Sequence, residues 1–172
     1  MKEINQKAYP LKDFLYLFII LMIVWMALTL SVEKQELISG IIVSLILSLA
    51  LHRNYQRIGL PNITLKKIVF ILAYIVVLFK EIILANLDVA YRVIHPKMPI
   101  KPGIVIIKTD LKQDLAKMIL ANSITLTPGT FTLDIEGDRL LIHWINVRTD
   151  NIDEATRLIG GRFEKYLKVI FK

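Results

Sequence analysis

Two apolar runs separated by four polar residues constrain this chain more than any other feature. Residues 14–32 carry no charge over 19 positions, and after Glu33-Lys34-Gln35-Glu36 residues 37–51 carry none over 15 more. A helix rises about 1.5 Å per residue and a bilayer's hydrocarbon core is about 30 Å thick, so about 20 apolar residues cross it. The first run is long enough by itself. The second becomes long enough by taking in part of the polar joint or the flank at His52. Four residues between the runs leave room only for a tight turn, so the runs must lie antiparallel, as a transmembrane hairpin. A cleaved secretory signal does not fit, because the second run follows at once and no A-x-A site closes the first.

Composition points the same way. Of 172 residues 55% are hydrophobic, and the mean hydropathy is +0.54, too apolar for an ordinary soluble domain. The absence of cysteine excludes disulfides, thiolate metal sites, iron–sulfur clusters and cysteine nucleophiles. The net charge of +7 is unevenly placed: residues 1–103 hold 12 Lys/Arg against 6 Asp/Glu, and residues 104–172 hold 10 against 9. A nucleic-acid binder would concentrate its excess on the soluble part, so no nucleic-acid partner is expected. The excess reads instead as an orientation signal and as affinity for an anionic lipid bilayer. Lys2, Lys7, Lys12, Arg53, Arg57, Lys66 and Lys67 flank the hairpin on one side, against Lys34 alone at the joint. The positive-inside rule therefore makes this a multi-pass protein of the cell membrane with a cytoplasmic N-terminus.

Gly59-Leu60-Pro61-Asn62 breaks the chain before a third apolar stretch, residues 68–79, which meets Lys80-Glu81 and runs on to Ile94. A spanning helix here would bury Lys80 and Glu81 and place everything after it outside. A long helix partly sunk in the cytoplasmic face keeps the C-terminal part inside, and it is the favoured reading. From Ile82 the apolar positions Ile82, Ile83, Leu87, Ala90, Tyr91 and Ile94 recur at helical spacing with Asn86, Asp88 and Arg92 between them. The membrane region is thus residues 1–94, with helices over about 14–32, 35–52 and 65–94.

Residues 95–103 hold three prolines and form an extended linker. Residues 104–172 predict a small cytoplasmic α+β domain of order β-α-β-β-α. Ile104–Ile107 is a short buried strand. Asp110 caps a helix whose inner face is Leu111, Leu115, Met118 and Ile119, with Gln113 in the capping-box position. Thr127-Pro128-Gly129-Thr130 has the residues of a type II turn, after which Phe131, Leu133 and Ile135 alternate as a strand. Gly137-Asp138 turns the chain back into Leu140–Val147. Asp150 or Asn151 caps one last helix with Ile152, Ala155, Leu158, Ile159, Phe163, Tyr166, Leu167 and Ile170 inward. Gly160-Gly161 lies within that helix and suits a close approach to the sheet.

No glycine-rich phosphate loop, zinc-protease motif, nucleophile elbow or metal-binding histidine pair occurs, so no catalytic, metal or cofactor site is expected. His52, His95 and His143 sit at a helix end, in the linker and on a strand. Ionisable residues at membrane depth are costly, so Lys80, Glu81 and Asp88 are candidates for an ion path or for contact with a neighbouring subunit. The hydroxyls and Asn122 in the stretch 120–130 satisfy helix-end and turn backbone groups.

The run Ala121-Asn122-Ser123-Ile124-Thr125-Leu126-Thr127-Pro128-Gly129-Thr130 resembles the signature of the MnhE/MrpE family, the E-type components of Mrp-type multisubunit cation/proton antiporters. The hairpin, His52-Arg53, Lys80-Glu81, the segment Ala85–Val89, Pro102-Gly103 and Lys108–Leu111 match in order. The resemblance implies an accessory integral subunit with a cytoplasmic C-terminal domain, in a complex that exchanges sodium for protons. E-like components of the same kind belong to archaeal membrane-bound hydrogenases and sulfane reductases. The implied partners are the other membrane subunits of such a complex, and the main proton channels are expected in those partners. Asn122, Thr127, Pro128, Gly129 and Thr130 are carried over as a structural signature turn, with no catalytic residue. The rival reading is a stand-alone membrane-tethered module that binds a cytoplasmic ligand.

Overall fold

The computed structural model describes residues 11–58 and 64–172, with side chains from Phe14 to Leu51 and from Thr64 onward. The basic tail with Lys2 and Lys7, the break at 59–62, and the side chains of Lys12, His52, Arg53 and Arg57 therefore lie outside what is described. Contacts divide the chain into two compact units, Met1–Leu60 and Pro61–Lys172.

The first unit is a pair of packed helices, α1 (Leu11–Thr29) and α2 (Lys34–Ile58). The first helix ends three residues before the charge-free run does, because Leu30 takes a positive φ of 49°. The second continues seven residues past the end of its apolar run, through His52 to Ile58. The seam between them is built from small residues four apart on α2, which let two backbones approach closely. Gly40 faces Trp25, where an added Cβ would lie 2.6 Å from the ring. Ser44 and Ser48 are fully buried, and Ser48 turns its hydroxyl back to the Leu45 carbonyl (3.0 Å). The Trp25 indole N–H donates to the Glu36 carbonyl (3.1 Å), fixing the end of the seam near the joint. Large aliphatic side chains such as Ile23, Leu28, Ile46 and Leu49 point outward.

The second unit holds α3 (Leu65–Ile94), β1 (Gly103–Lys108), α4 (Asp114–Leu126), β2 (Thr130–Glu136), β3 (Arg139–Trp144), α5 (Ile152–Ile159) and α6 (Gly161–Ile170). The strands form an antiparallel sheet in the order β1-β3-β2. One face is covered by α4 and α5, and its core is Ile107, Leu120, Ile124, Leu140, Ile142, Phe163 and Leu167. The other face is uncovered. There Ile104, Ile106, Phe131 and Leu133 are exposed, so β1 is a half-buried strand and not a buried one: Val105 and Ile107 point in, Ile104 and Ile106 out. On β2 a register shift between Thr132 and Asp134 breaks the simple alternation of Phe131, Leu133 and Ile135.

Three expectations need correction. Helix α4 starts at Asp114 and is flanked by Gln113, which makes no side-chain cap; Asp110 does not cap it. Residues 109–111 are held elsewhere, since Asp110 N–H donates to the buried Glu164 carboxylate (2.7 Å) and Leu111 N–H to the Thr109 hydroxyl (3.2 Å). The inner face of α4 is consequently Ala116, Leu120, Ala121, Ser123 and Ile124, with Met118 exposed. The last helix is two, broken at Gly160, where a Cβ would press on Ile107 at 3.3 Å. Its cap is Asn151, whose side chain accepts from Asp153 and Glu154 N–H (3.0 Å each).

Helix α3 belongs to this unit, and one face of it packs along the α+β fold. Near its start the Lys67 ammonium reaches the Lys172 carbonyl (3.2 Å). Phe70 meets Tyr166, and Tyr74 meets Phe163 edge-on, while the Tyr74 hydroxyl shares a hydrogen bond with the buried Ser123 of α4. Further on, Glu81 pairs with Arg162 of α6. Residues 95–103 then return over the domain: Lys101 N–H donates to the Ile145 carbonyl (3.1 Å) and Val147 N–H to the Lys101 carbonyl (2.8 Å). The opposite face of α3, including Leu72, Val76, Phe79, Ile83 and Leu87, is apolar and exposed.

Candidate functional site

The polar groups of α3 and the 127–130 turn meet in one cavity of about 250 Å³. Its walls are α3 from Glu81 to Arg92, the Thr127–Thr130 turn, the segment Trp144–Arg148, and the junction of α5 with α6 at Leu158–Arg162. Glu81, Asp88, Thr127, Pro128, Gly129 and Thr130 all line it, whereas Lys80 and Asn122 do not. Lys80 lies on the apolar side of α3 among Ile75, Val76, Phe79 and Ile83, where its long stem can carry the ammonium out to a polar boundary. Asn122 is on the exposed face of α4.

The turn is formed as its Pro-Gly pair predicts. Gly129 has φ +92°, and a Cβ there would stand 3.0 Å from Ile145, so the position demands glycine twice over. The Thr127 and Thr130 hydroxyls both donate to the Ile124 carbonyl (2.7 Å each), satisfying the open C-terminal end of α4. Thr132 does the same one turn earlier, donating to Ala121 (3.1 Å). The hydroxyls thus face the helix, and the turn closes the cavity as a rigid wall.

Three guanidiniums share the cavity with two carboxylates. Arg92 forks onto Asp88, with Nε at 2.8 Å and Nη2 at 3.1 Å, and its third nitrogen donates to the Pro99 carbonyl. Such a two-pronged pair is strong and oriented, and Arg92 is itself buried. Arg162 pairs with Glu81 and also donates to the Leu158 carbonyl (3.2 Å from Nε). Arg148 lines the rim. Sequence reasoning missed all three arginines. The Asp88–Arg92 spacing of four was legible as a helical ion pair; Glu81 and Arg162 are 81 residues apart, and no local pattern joins them.

Outside the cavity, Lys168 bridges Asp110 (2.6 Å) and Glu164 (3.4 Å). The Lys168 ammonium holds the Asp110 carboxyl below its usual range, and the Asp110 hydrogen bond raises Lys168. Among the described residues no group of three His, Asp or Glu is placed to hold a metal ion.

A helix pair that buries serines and exposes aliphatics, and in the second unit a long helix apolar on its free face, define a membrane protein with a small α+β fold. A family model described as Na+/H+ ion antiporter subunit matches residues 18–170, and the chain belongs to that family. It is 32% identical over 154 residues to the E-type component of the Na(+)/H(+) antiporter of Alkalihalophilus pseudofirmus, covering 90% of this chain and 95% of the relative. To the E1-type component of the Na(+)/H(+) antiporter of Staphylococcus aureus it is 36% identical over 162 residues, covering 91% and 96%. It superposes on a chain of the membrane-bound sulfane sulfur reductase, an archaeal respiratory membrane complex, with a TM-score of 0.83 and 49% identity, over 92% of this chain and 99% of that one.

Proposed function

We propose that this chain is a non-catalytic accessory subunit of an Mrp-type cation/proton antiporter module. In this reading α1 and α2 cross the membrane as a hairpin, the N-terminus and the α+β domain are cytoplasmic, and α3 lies along the cytoplasmic face. Its role is to brace the module's small membrane subunits and so support ion translocation by the larger ones.

One observation carries this placement. The contacts that dock α3 on the domain run from Lys67, at the Lys172 carbonyl, to Val89, which stands 3.6 Å from where a Cβ on Gly129 would lie, about 33 Å of helix at 1.5 Å per residue. That exceeds the roughly 30 Å of a hydrocarbon core. A spanning α3 would drag the sheet, Arg162 and Lys168 into lipid, whereas a surface α3 keeps them in water and offers lipid its free apolar face. Glu81 then serves as the ion-pair anchor of the docked domain through Arg162, Asp88 holds Arg92 on the same helix, and Lys80 meets the headgroups.

The 49% identity to the sulfane sulfur reductase chain, against 32 and 36% for the antiporter relatives, supports a place in a redox-driven complex of that kind. A tagged copy isolated in mild detergent from its native host, with co-purifying chains identified by mass spectrometry, tests the proposal. Large antiporter-like subunits together with metal-cluster subunits are expected. A lone 19.8 kDa band would contradict it and favour the stand-alone tethered module.

A further inference from the structure

We propose that the cavity between α3, the Thr127–Thr130 turn and α6 binds the phosphate of an anionic lipid headgroup, with Arg148 as the cation that receives it. The inference rests on the surface placement of α3 proposed above.

Arg92 is committed to Asp88 and the Pro99 carbonyl, and Arg162 to Glu81 and the Leu158 carbonyl. Arg148 is the third guanidinium on the same walls. Its charge is felt at Asp88, but that carboxylate is already held in the fork of Arg92, and among the described residues Arg148 forms no ion pair or hydrogen bond. The cavity therefore holds one cation in excess, carried by the side chain whose planar fork matches phosphate oxygens.

Size and surroundings select the ligand. A volume of about 250 Å³ is about eight times a water's share of the liquid, at ~30 Å³ each. It takes a phosphate with a glycerol-sized substituent and falls short of the roughly 300–1,000 Å³ that drug-sized ligands fill. The rim has an apolar side as well. Leu84 lines the cavity and also belongs to the exposed apolar patch of Ile75, Val76, Phe79 and Ile83. A headgroup seated at Arg148 can thus send its acyl chains past Leu84 onto the face of α3 that meets lipid. A free anion would gain nothing from that surface. Basic pockets at the membrane face are the usual recognition device for anionic headgroups.

The test uses the full chain, delipidated in detergent and titrated with short-chain phosphatidylglycerol, phosphatidylcholine, glycerol phosphate and inorganic phosphate, with binding read by native mass spectrometry. Phosphatidylglycerol should bind the wild type, and more tightly than phosphatidylcholine. Arg148→Gln should weaken it about 10-fold or more, as expected for losing charge-assisted hydrogen bonds, while Arg148→Lys keeps part of the affinity. Arg139→Gln, which removes an exposed charge at the far end of β3, should leave binding unchanged. Glycerol phosphate and inorganic phosphate should bind more weakly than the lipid and with the same dependence on Arg148. Equal losses in Arg148→Gln and Arg139→Gln would show unspecific charge attraction and overturn the site. Glycerol phosphate binding as tightly as the lipid would overturn the lipid assignment. Antiporter subunits co-purifying with a chain whose lipid binding ignores Arg148 would sink this inference and leave the accessory role standing.

Discussion

The two compact units are built for opposite solvents. Among the described residues of the α1–α2 pair the fully buried positions are Ser44 and Ser48, with Gly40 against Trp25, while Ile23 and Leu28 are 61% and 77% exposed. In the second unit Phe163, Ile107 and Leu120 are buried, and Arg162, Lys165 and Lys168 face outward. Water rewards the second arrangement through apolar burial. Lipid gives no such reward, so helices there pack by close approach of small residues. Helix α3 has both characters at once, with a protein-facing side of the second kind and a free side of the first. The lesson is that an apolar helix is assigned by what covers each face rather than by its average.

Truncating Phe163 to Ala should have the largest effect on this contrast. It is 1% exposed and packs edge-on to Tyr74, and emptying such a site costs about 3–5 kcal/mol. Denaturation of the purified chain followed by Trp144 fluorescence reads it. Ile46→Ala, at an outward position of α2, should leave the helix pair almost unchanged when its denaturation is followed by Trp25 fluorescence. Comparable losses at the two positions would erase the distinction between the units.

Next comes Gly40→Val, which forces a side chain into the Trp25 ring. Overpacking of about 1–3 kcal/mol should separate α1 from α2, seen as a red shift of Trp25 emission in a variant with Trp144 replaced by Phe. Gly129→Ala should cost the second unit about 1–2 kcal/mol, the penalty for a side chain at positive φ, and lower its melting temperature accordingly. An unchanged melting temperature would refute the account of the turn.

The sequence made the hairpin plain because charge-free runs and a four-residue joint leave one solution. It also showed the 127–130 turn, whose Pro-Gly pair is chemically explicit. The docking of α3 was hidden, since Phe70, Ile71 and Leu78 facing protein look no different from Leu72, Val76 and Phe79 facing away. Asp110 misled for a related reason: its backbone serves Glu164, 54 residues on, and the helix begins later. The cavity was half legible. Its turn and its two acids stood out, but Arg148 and Arg162 are brought there only by the tertiary fold.

The smallest effect should come from Asp110→Asn, at an exposed pair. Asp110 is lowered by Lys168, so the pair's contribution is present above the usual carboxylate range and fades as pH falls through the lowered value. Lys168 is raised, so on the alkaline side the contribution is present below the usual lysine range and is lost as pH rises through the raised value. The wild type and the variant should converge in stability at both extremes. A gap that widened toward acid would reverse the sign and refute the pairing.

The central claim, that α3 lies along the cytoplasmic face with the domain docked on it, has a direct test. The chain has no cysteine, so a single Lys97→Cys, just past the end of α3, can be labelled with a membrane-impermeant maleimide in oriented vesicles. The account predicts labelling from the cytoplasmic side only, with Glu33→Cys in the hairpin joint labelled from the other side. Labelling of both cysteines from the same, outer side would mean that α3 spans the bilayer.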